Sequence, residues 1–189
     1  MQRIFSFIGV SADGYHADAD GGLAWQTFDH QFTDYSIEQL DEVDILIFGR
    51  VTYEAMVAYW PTQAGVDFDS AIAARMNEIS KIVVSRTLDR ADWANTRIVR
   101  DDVAAQLTEL RRQPGKDIAI FGSSALTAHL LALGLVDELR LMVNPVILGD
   151  GESLFAGAPT TSLELVNTRR FTSGCLLLTY RPAAGHQSP

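Results

Sequence analysis

Short apolar runs separated by polar, glycine-bearing segments dominate the chain. Arg3 to Val10 is rich in β-forming residues and reads as a first strand. Asp44–Phe48, Lys81–Ser85 and Asp117–Phe121 are apolar at nearly every position, the pattern of short strands covered on both faces of a sheet. Thr96–Val99 and the longer Glu138–Val146 read as further strands. Ser162–Arg170 and Cys175–Tyr180 form a hairpin pattern about Thr172-Ser173-Gly174. Between these runs the spacing turns helical over Phe28–Leu40, Thr52–Tyr59, Ser70–Ile79 and Asp102–Arg112, the last with Val103, Leu107 and Leu110 inward. Ser123 is expected to cap a helix running to Leu133, where Gly134 stops it. Ser11–Gly22 reads as a long loop and Pro61–Gly65 as a turn. Strands alternating with helices and then a strand-rich end predict an α/β fold. Its central sheet should be mixed but mostly parallel and flanked by helices, with antiparallel C-terminal strands.

Size and charge narrow the function. The 189 residues, 47% hydrophobic, suit one domain over residues 1–182, with a small polar tail over 183–189 expected to fray. A formal net charge of −9 argues against nucleic acid backbone and anionic membrane surfaces as partners. It does not exclude an anionic cofactor, because arginines and helix ends reverse the field locally. The single cysteine, Cys175, lies in an apolar run and reads as a small buried hydrophobe. No apolar run approaches the ~18 residues of a membrane span. The start Met1–Phe7 has the pattern of a strand and not of a signal peptide, so a cytoplasmic protein is expected.

Three of the buried strands end in a small residue beside a polar one: Gly49-Arg50-Val51-Thr52, Ser85-Arg86-Thr87 and Gly122-Ser123-Ser124. In an open α/β sheet the carboxyl ends of the strands line the ligand crevice. Two of these segments also open helices, whose free N–H groups suit phosphate. Arg50 and Arg86 add fixed positive charge. Each segment alone can be an ordinary turn; three at the same end of consecutive strands describe a binder of an extended, phosphorylated ligand such as a dinucleotide. The loops G-x-G-x-x-G and G-x-x-x-x-G-K-S/T are absent, which disfavours Rossmann dehydrogenases and P-loop enzymes.

The order of these segments resembles a known family. The opening strand followed by Ser11-Ala12-Asp13-Gly14, Trp25 after a glycine-bearing loop, and Gly49-Arg50-Val51-Thr52-Tyr53-Glu54 are similar to dihydrofolate-reductase-like proteins. Ser85-Arg86-Thr87-Leu88 and Gly122-Ser123-Ser124-Ala125-Leu126 continue the likeness. Gly134–Leu139 and Pro145–Phe155 resemble the bacterial bifunctional deaminase–reductase C-terminal branch, the reductase of riboflavin biosynthesis, here in stand-alone form. The likeness covers residues 1 to about 182. It implies a dihydrofolate-reductase-like fold, NADPH as cofactor and a homodimer, the last also suggested by apolar strands at the C-terminal end. It further implies that Gly49, Arg50 and Thr52 hold the pyrophosphate and adenosine side. Ser85 and Arg86 would receive the adenosine ribose and favour a 2′-phosphate. Gly122, Ser123, Ser124 and Leu126 would border the pyrophosphate, and Val10 and Ala17 would flank the nicotinamide.

The candidate catalytic acids are Asp29 and Asp13. Spacing from Trp25 places Asp29 or His30 where dihydrofolate reductases carry an acid, with Asp34 one turn later; Asp29 equally suits a helix N-cap. Asp13 is either a turn former or a substrate contact. Trp25 reads as a packing residue bordering the pocket and His16 as a solvated loop residue. The branch's usual glycine-rich stretch and Asp-Asp/Asn-Pro segment are absent, as is the fused zinc deaminase. The expectation is an NADPH-dependent reductase acting on a small pterin- or ribosylaminopyrimidine-like heterocycle. The alternatives are a nucleotide- or pterin-binding protein without turnover, and a flavin- or small-molecule-binding resistance protein.

Overall fold

The computed structural model describes residues 1–183; the expected fraying of the tail falls, from 184 on, outside the described residues. In chain order the elements are β1 (Ile4–Ser11), β2 (Tyr15–Ala17), α1 (His30–Asp41), β3 (Val43–Gly49), α2 (Arg50–Tyr59), α3 (Gln63–Phe68), α4 (Ser70–Glu78), β4 (Ser80–Val84), β5 (Thr96–Val99), α5 (Val103–Leu110), β6 (Asp117–Phe121), α6 (Ser124–Ala132), β7 (Glu138–Asn144), β8 (Glu152–Ser153), β9 (Leu163–Arg170) and β10 (Leu176–Pro182). Eight strands form one sheet in the order β5-β4-β3-β6-β1-β7-β10-β9. The six from β5 to β7 run parallel, and β10 is antiparallel to both β7 and β9. Among the described residues no helix is long and apolar enough to cross a membrane.

Alternation along the central strands builds two cores. Phe5, Leu46, Phe48, Val83 and Ala119 face Leu40 of α1, Tyr53 of α2 and Ile72 and Met76 of α4. Ile4, Ile47, Ile82, Ile118 and Ile120 face Leu107 of α5 and Leu130 of α6. Burying a side chain such as Phe5 or Phe48, each 1% exposed or less, is worth about 1.5–3 kcal/mol. These strands are apolar on both faces because helices cover both.

Some expectations are revised. Pro61–Gly65 is not a simple turn: α3 begins at Gln63, after the N-cap Thr62, and Gly65 is buried against the backbone of Tyr59 and Trp60. The Ser11–Gly22 loop contains β2, which pairs with β8 in a separate two-stranded ribbon. Ser123 occupies the N-cap position of α6, but its side chain makes no cap hydrogen bond. Cys175 is buried, as expected.

Lys81 is the one buried lysine of the sheet. It is 1% exposed, with its ammonium 4.6 Å from the Trp93 ring centroid. It donates to the carbonyls of Asn77 and Ile79 at the end of α4, where a cation complements the helix dipole. Burial pushes its pKa down to about 8. Lys81→Ala would leave two carbonyls short of a donor. It should lower stability by about 1–3 kcal/mol, measured as a drop in the urea midpoint at unchanged slope.

Candidate functional site

The parallel strands β4, β3, β6 and β1 end at one edge, and their four carboxyl ends span about 14 Å at the usual ~4.8 Å strand spacing. Two of the sequence-predicted segments are joined there. The hydroxyl of Ser123 accepts from Gly49 N at 2.7 Å and donates to Thr52 Oγ1 at 2.8 Å. This bridge occupies the group that would have capped α6, and Gly49 contributes no side-chain cap to α2. Two adjacent helix starts therefore lack side-chain caps along the same edge, so their first-turn N–H groups are available to an anion. Gly122 (φ 61°) and Ser123 (φ 53°) are both left-handed, a conformation that costs a serine about 1–2 kcal/mol. The approach is close as well. A Cβ on Gly49 would lie 3.0 Å from Ser123 Oγ, and one on Gly122 would lie 3.1 Å from Thr52 Cγ2.

The outer segment at β4 is built differently. Ser85 is buried and accepts from the N–H groups of Thr87 and Leu88, so its hydroxyl shapes its own turn. Arg100 donates to the carbonyls of Arg86, Leu88 and Asp89 and fixes the same loop from outside. The guanidinium of Arg86 stands in solvent, 83% exposed, and meets Asp101 only at 3.6 Å. Arg50 is half-exposed and pairs with Glu54 one turn along α2 at 2.9 Å.

At the β1 end the structure covers what the sequence left open. Val10 and Ala17 are both buried. The side chain of Gln26 lies against Gly9, where a Cβ would come within 2.8 Å of its amide. Thr27 N donates to Asn144 Oδ1 at 2.9 Å, pinning the segment after Trp25 to the end of β7. Gln26 and Asn144 escaped the sequence reading, which had no signal for the Gln26–Gly9 approach or for the Thr27–Asn144 bond across 117 residues. Leu126 packs into the core beneath α6, which leaves only its main chain to face a ligand.

Beside the start of α6 lies a cavity of about 320 Å³ lined by His16, Ser124, Ala125, Ala128, Glu152 and Phe155 among others. His16 is not the solvated loop residue expected. Its Nε2 lies 2.8 Å from Ser124 Oγ and 3.5 Å from Glu152 Oε2, and burial pushes its pKa below the ordinary 6.5. A cavity of about 400 Å³ sits at the opposite, amino-terminal edge around the buried Arg140–Glu138 pair, away from these strand ends.

Both candidate acids are committed to structure. Asp29 is the N-cap of α1, accepting from Phe32 N at 2.8 Å, while its other oxygen accepts from Thr172 Oγ1 and Ser173 N in the β9–β10 turn. Led by the Phe32 N–H, these donors hold its pKa at about 2. Asp13 accepts from Ser11 Oγ at 2.7 Å and from the N–H groups of Leu148 and Gly149. Its pKa is lowered, chiefly by the Ser11 hydroxyl. Of the two readings open for each, the cap and the turn former are the ones this geometry supports. At about 2, the Asp29 carboxyl is ionised near neutral pH.

The sequence matches the RibD C-terminal domain family over residues 2–177. The chain belongs to this family. It is 32% identical over 184 residues to the uncharacterized protein YyaP of Bacillus subtilis (strain 168), covering 95% of each chain. Among solved structures, a protein of Shewanella sp. PV-4 provisionally named for riboflavin biosynthesis aligns with a TM-score of 0.74 at 21% identity, over 96% of this chain and 99% of that one. Dihydrofolate reductase from Enterococcus faecalis, complexed with NADP(H), aligns at 0.62 with 16% identity, over 95% and 96% of the two chains. At these identities the structural likeness shows the fold, which is reductase-like and of the dihydrofolate-reductase type.

Asp29 gives a prediction with a definite sign. Its pKa is depressed in the fold from an ordinary 3.8 to about 2, so its contribution is present above pH 3.8 and is lost as pH falls through about 2. Asp29→Ala should lower the thermal midpoint at neutral pH and flatten the acid-side loss of stability between those values, measured by circular dichroism melts across the range.

Proposed function

We propose that the protein is an NADPH-dependent reductase whose dinucleotide lies along the carboxyl edge of the sheet from β4 to β1. The observation that carries this reading is the Ser123 bridge, which sets two uncapped helix starts side by side. The residues fit the cofactor where close approach matters: a Cβ at Gly49 or Gly122 would crowd Ser123 or Thr52, and a phosphate gains from both helix starts. Gly49, Arg50, Thr52, Gly122, Ser123, Ser124 and the Leu126 main chain hold the pyrophosphate. Ser85 shapes the ribose end, and Arg86, loosely paired and solvent-facing, meets a 2′-phosphate. When bound, NADPH supplies the hydride, which passes to a C=N or C=O carbon of a small heterocycle. The loop Ser11–Gly22 would act as a lid over the nicotinamide, with Val10 and Ala17 flanking it. Asp13 and Asp29 act as positioning residues, holding that loop and α1 in place, and the proton reaches the product from water.

A second reading has one observation in its favour. With both acids consumed in structural hydrogen bonds, the fold can serve as a nucleotide- or pterin-binding protein that does not turn over.

The homodimer expected from sequence is part of this proposal. The sheet ends at β9, whose outer edge is unpaired among the described residues, and Leu163, Leu165 and Val166 are exposed on it. Such edges are covered or paired in stable proteins.

The test is a titration with NADPH followed by oxidation assays over pterins and pyrimidines. NADPH should bind saturably, and Gly122→Val should weaken it by more than about tenfold through strain at a left-handed position. Arg86→Ala should reduce the preference for NADPH over NADH by about tenfold. Binding without oxidation across the panel would favour the second reading; failure to bind NADPH would remove the reductase reading. Sedimentation velocity at micromolar concentration should show a dimer, and Val166→Lys should shift it toward monomer.

A further inference from the structure

The cavity of about 400 Å³ at the amino-terminal edge gathers polar side chains that have no part in the proposed reaction. It lies between α1 and one face of β7, β10 and β9. Four of the side chains lining it, Gln39, Glu138, Arg140 and Thr179, are polar or charged and more than nine-tenths buried. Burial of such groups is costly unless their donors and acceptors are matched. Here several donors are not. A guanidinium carries five N–H groups. Arg140 gives Nε to Glu138 at 2.7 Å, and its central carbon lies 3.8 Å from the Phe5 ring centroid. These two contacts hold the group in place. Its terminal nitrogens reach only Gln39 Oε1 at 3.3 Å and Glu42 at 3.5 Å, the outer limit of a hydrogen bond. Gln39 Oε1 is already engaged by the Tyr35 hydroxyl at 2.8 Å. Among the described residues, neither the Gln39 amide nitrogen nor the Thr179 hydroxyl has a hydrogen-bond partner, and both side chains face the cavity.

The charges select the occupant. A row of donors around a fixed guanidinium calls for an oxyanion. Arg181 of β10 also lines the cavity and forms no ion pair among the described residues. The carboxylates set a limit on the charge. Glu138 is taken up by Arg140, but Glu38 and Glu42 stand at the mouth, 61% and 54% exposed, the first beside Arg169 at 2.8 Å. One negative charge gains from Arg140 and Arg181, and a second on the same head would meet the two glutamates. Val166 and Leu177 supply an apolar wall for the rest of a ligand.

We propose that this cavity binds a small organic monocarboxylate. The carboxylate meets the terminal nitrogens of Arg140, the Gln39 amide and the Thr179 hydroxyl, and the apolar body lies against Val166 and Leu177. The site is separate from the carboxyl edge of the sheet and does not depend on the reductase reading. Its occupant would tie α1 to β7 and β10.

Benzoate, benzamide and phenyl phosphate form a matched series for the test, being singly charged, neutral and mostly doubly charged at neutral pH. Each is titrated into the full chain by calorimetry at low ionic strength. Benzoate should bind saturably, about tenfold more tightly than either of the others. Thr179→Val keeps the side-chain shape, removes the hydroxyl and should weaken benzoate binding about fivefold. Arg140→Met should abolish it; if that variant is poorly folded, Thr179→Val and the surface change Arg181→Gln, each weakening benzoate, carry the test. Amide shifts in 1H–15N spectra should gather on α1, β7 and β10 and spare Gly49 and Gly122. Absence of saturable benzoate binding, equal affinity for benzamide or phenyl phosphate, wild-type affinity in folded Thr179→Val, or shifts centred on Gly49 and Gly122 would each overturn the proposal.

Discussion

The hydroxyl of Ser123 joins the ends of two parallel strands, and the shape of the edge follows from it. By accepting from Gly49 N and donating to Thr52 Oγ1 it brings the start of α2 against the turn before α6. The arrangement is costly in isolation. Ser123 sits in a left-handed conformation, and α6 forgoes a side-chain cap worth about 1 kcal/mol. Such local strain persists only where the surroundings over-determine it. Here β6 is clamped between β1 and β3, and Ser6 Oγ meets Thr127 Oγ1 at 2.8 Å in the interior, locking α6 to the sheet. Rigid strands thus hold the turn in place, and the cost is paid back as exposed main-chain donors at a fixed position.

The same logic explains how the loops over the site are held. Asp13 ties the segment after β1 to the main chain of Leu148 and Gly149, and β2 pairs with β8 alongside it. Asp29 ties the start of α1 to the turn between β9 and β10. Each carboxylate gathers several N–H or O–H donors, which is the arrangement that stabilises a negative charge and depresses its pKa. Each acid's charge is thereby spent on ordering a loop that flanks the sheet.

Much of the architecture was legible because it is written in local patterns. The buried strands announce themselves as short apolar runs, and Gly49, Ser85 and Gly122 do mark strand ends at one edge of the sheet. Gly134 stops α6 at φ 66°, as a glycine at that position suggests. What escaped depends on partners distant in sequence. The β2–β8 ribbon is too short to carry a periodic signal, and α3 hides behind Pro61, whose usual meaning is a turn. Serine before a helix normally means a cap; that Ser123 serves Gly49 and Thr52 instead is decided by the neighbouring strand. Asp29 caps α1 through the local Phe32 N–H, a contact its sequence position does suggest, but its ties to Thr172 and Ser173 lie 143 and 144 residues away and leave no local signal.

The uncapped helix starts bear on how a chain with a formal net charge of −9 can favour an anion at one place. Helix starts without side-chain caps stand at the ends of β3 and β6, whereas residues 23–34 and 59–70 carry carboxylates and aromatic rings and no lysine or arginine. Dipoles at helix starts act over the first turn and fade quickly beyond it. The positive potential these helix starts supply is therefore confined to the carboxyl edge of the sheet.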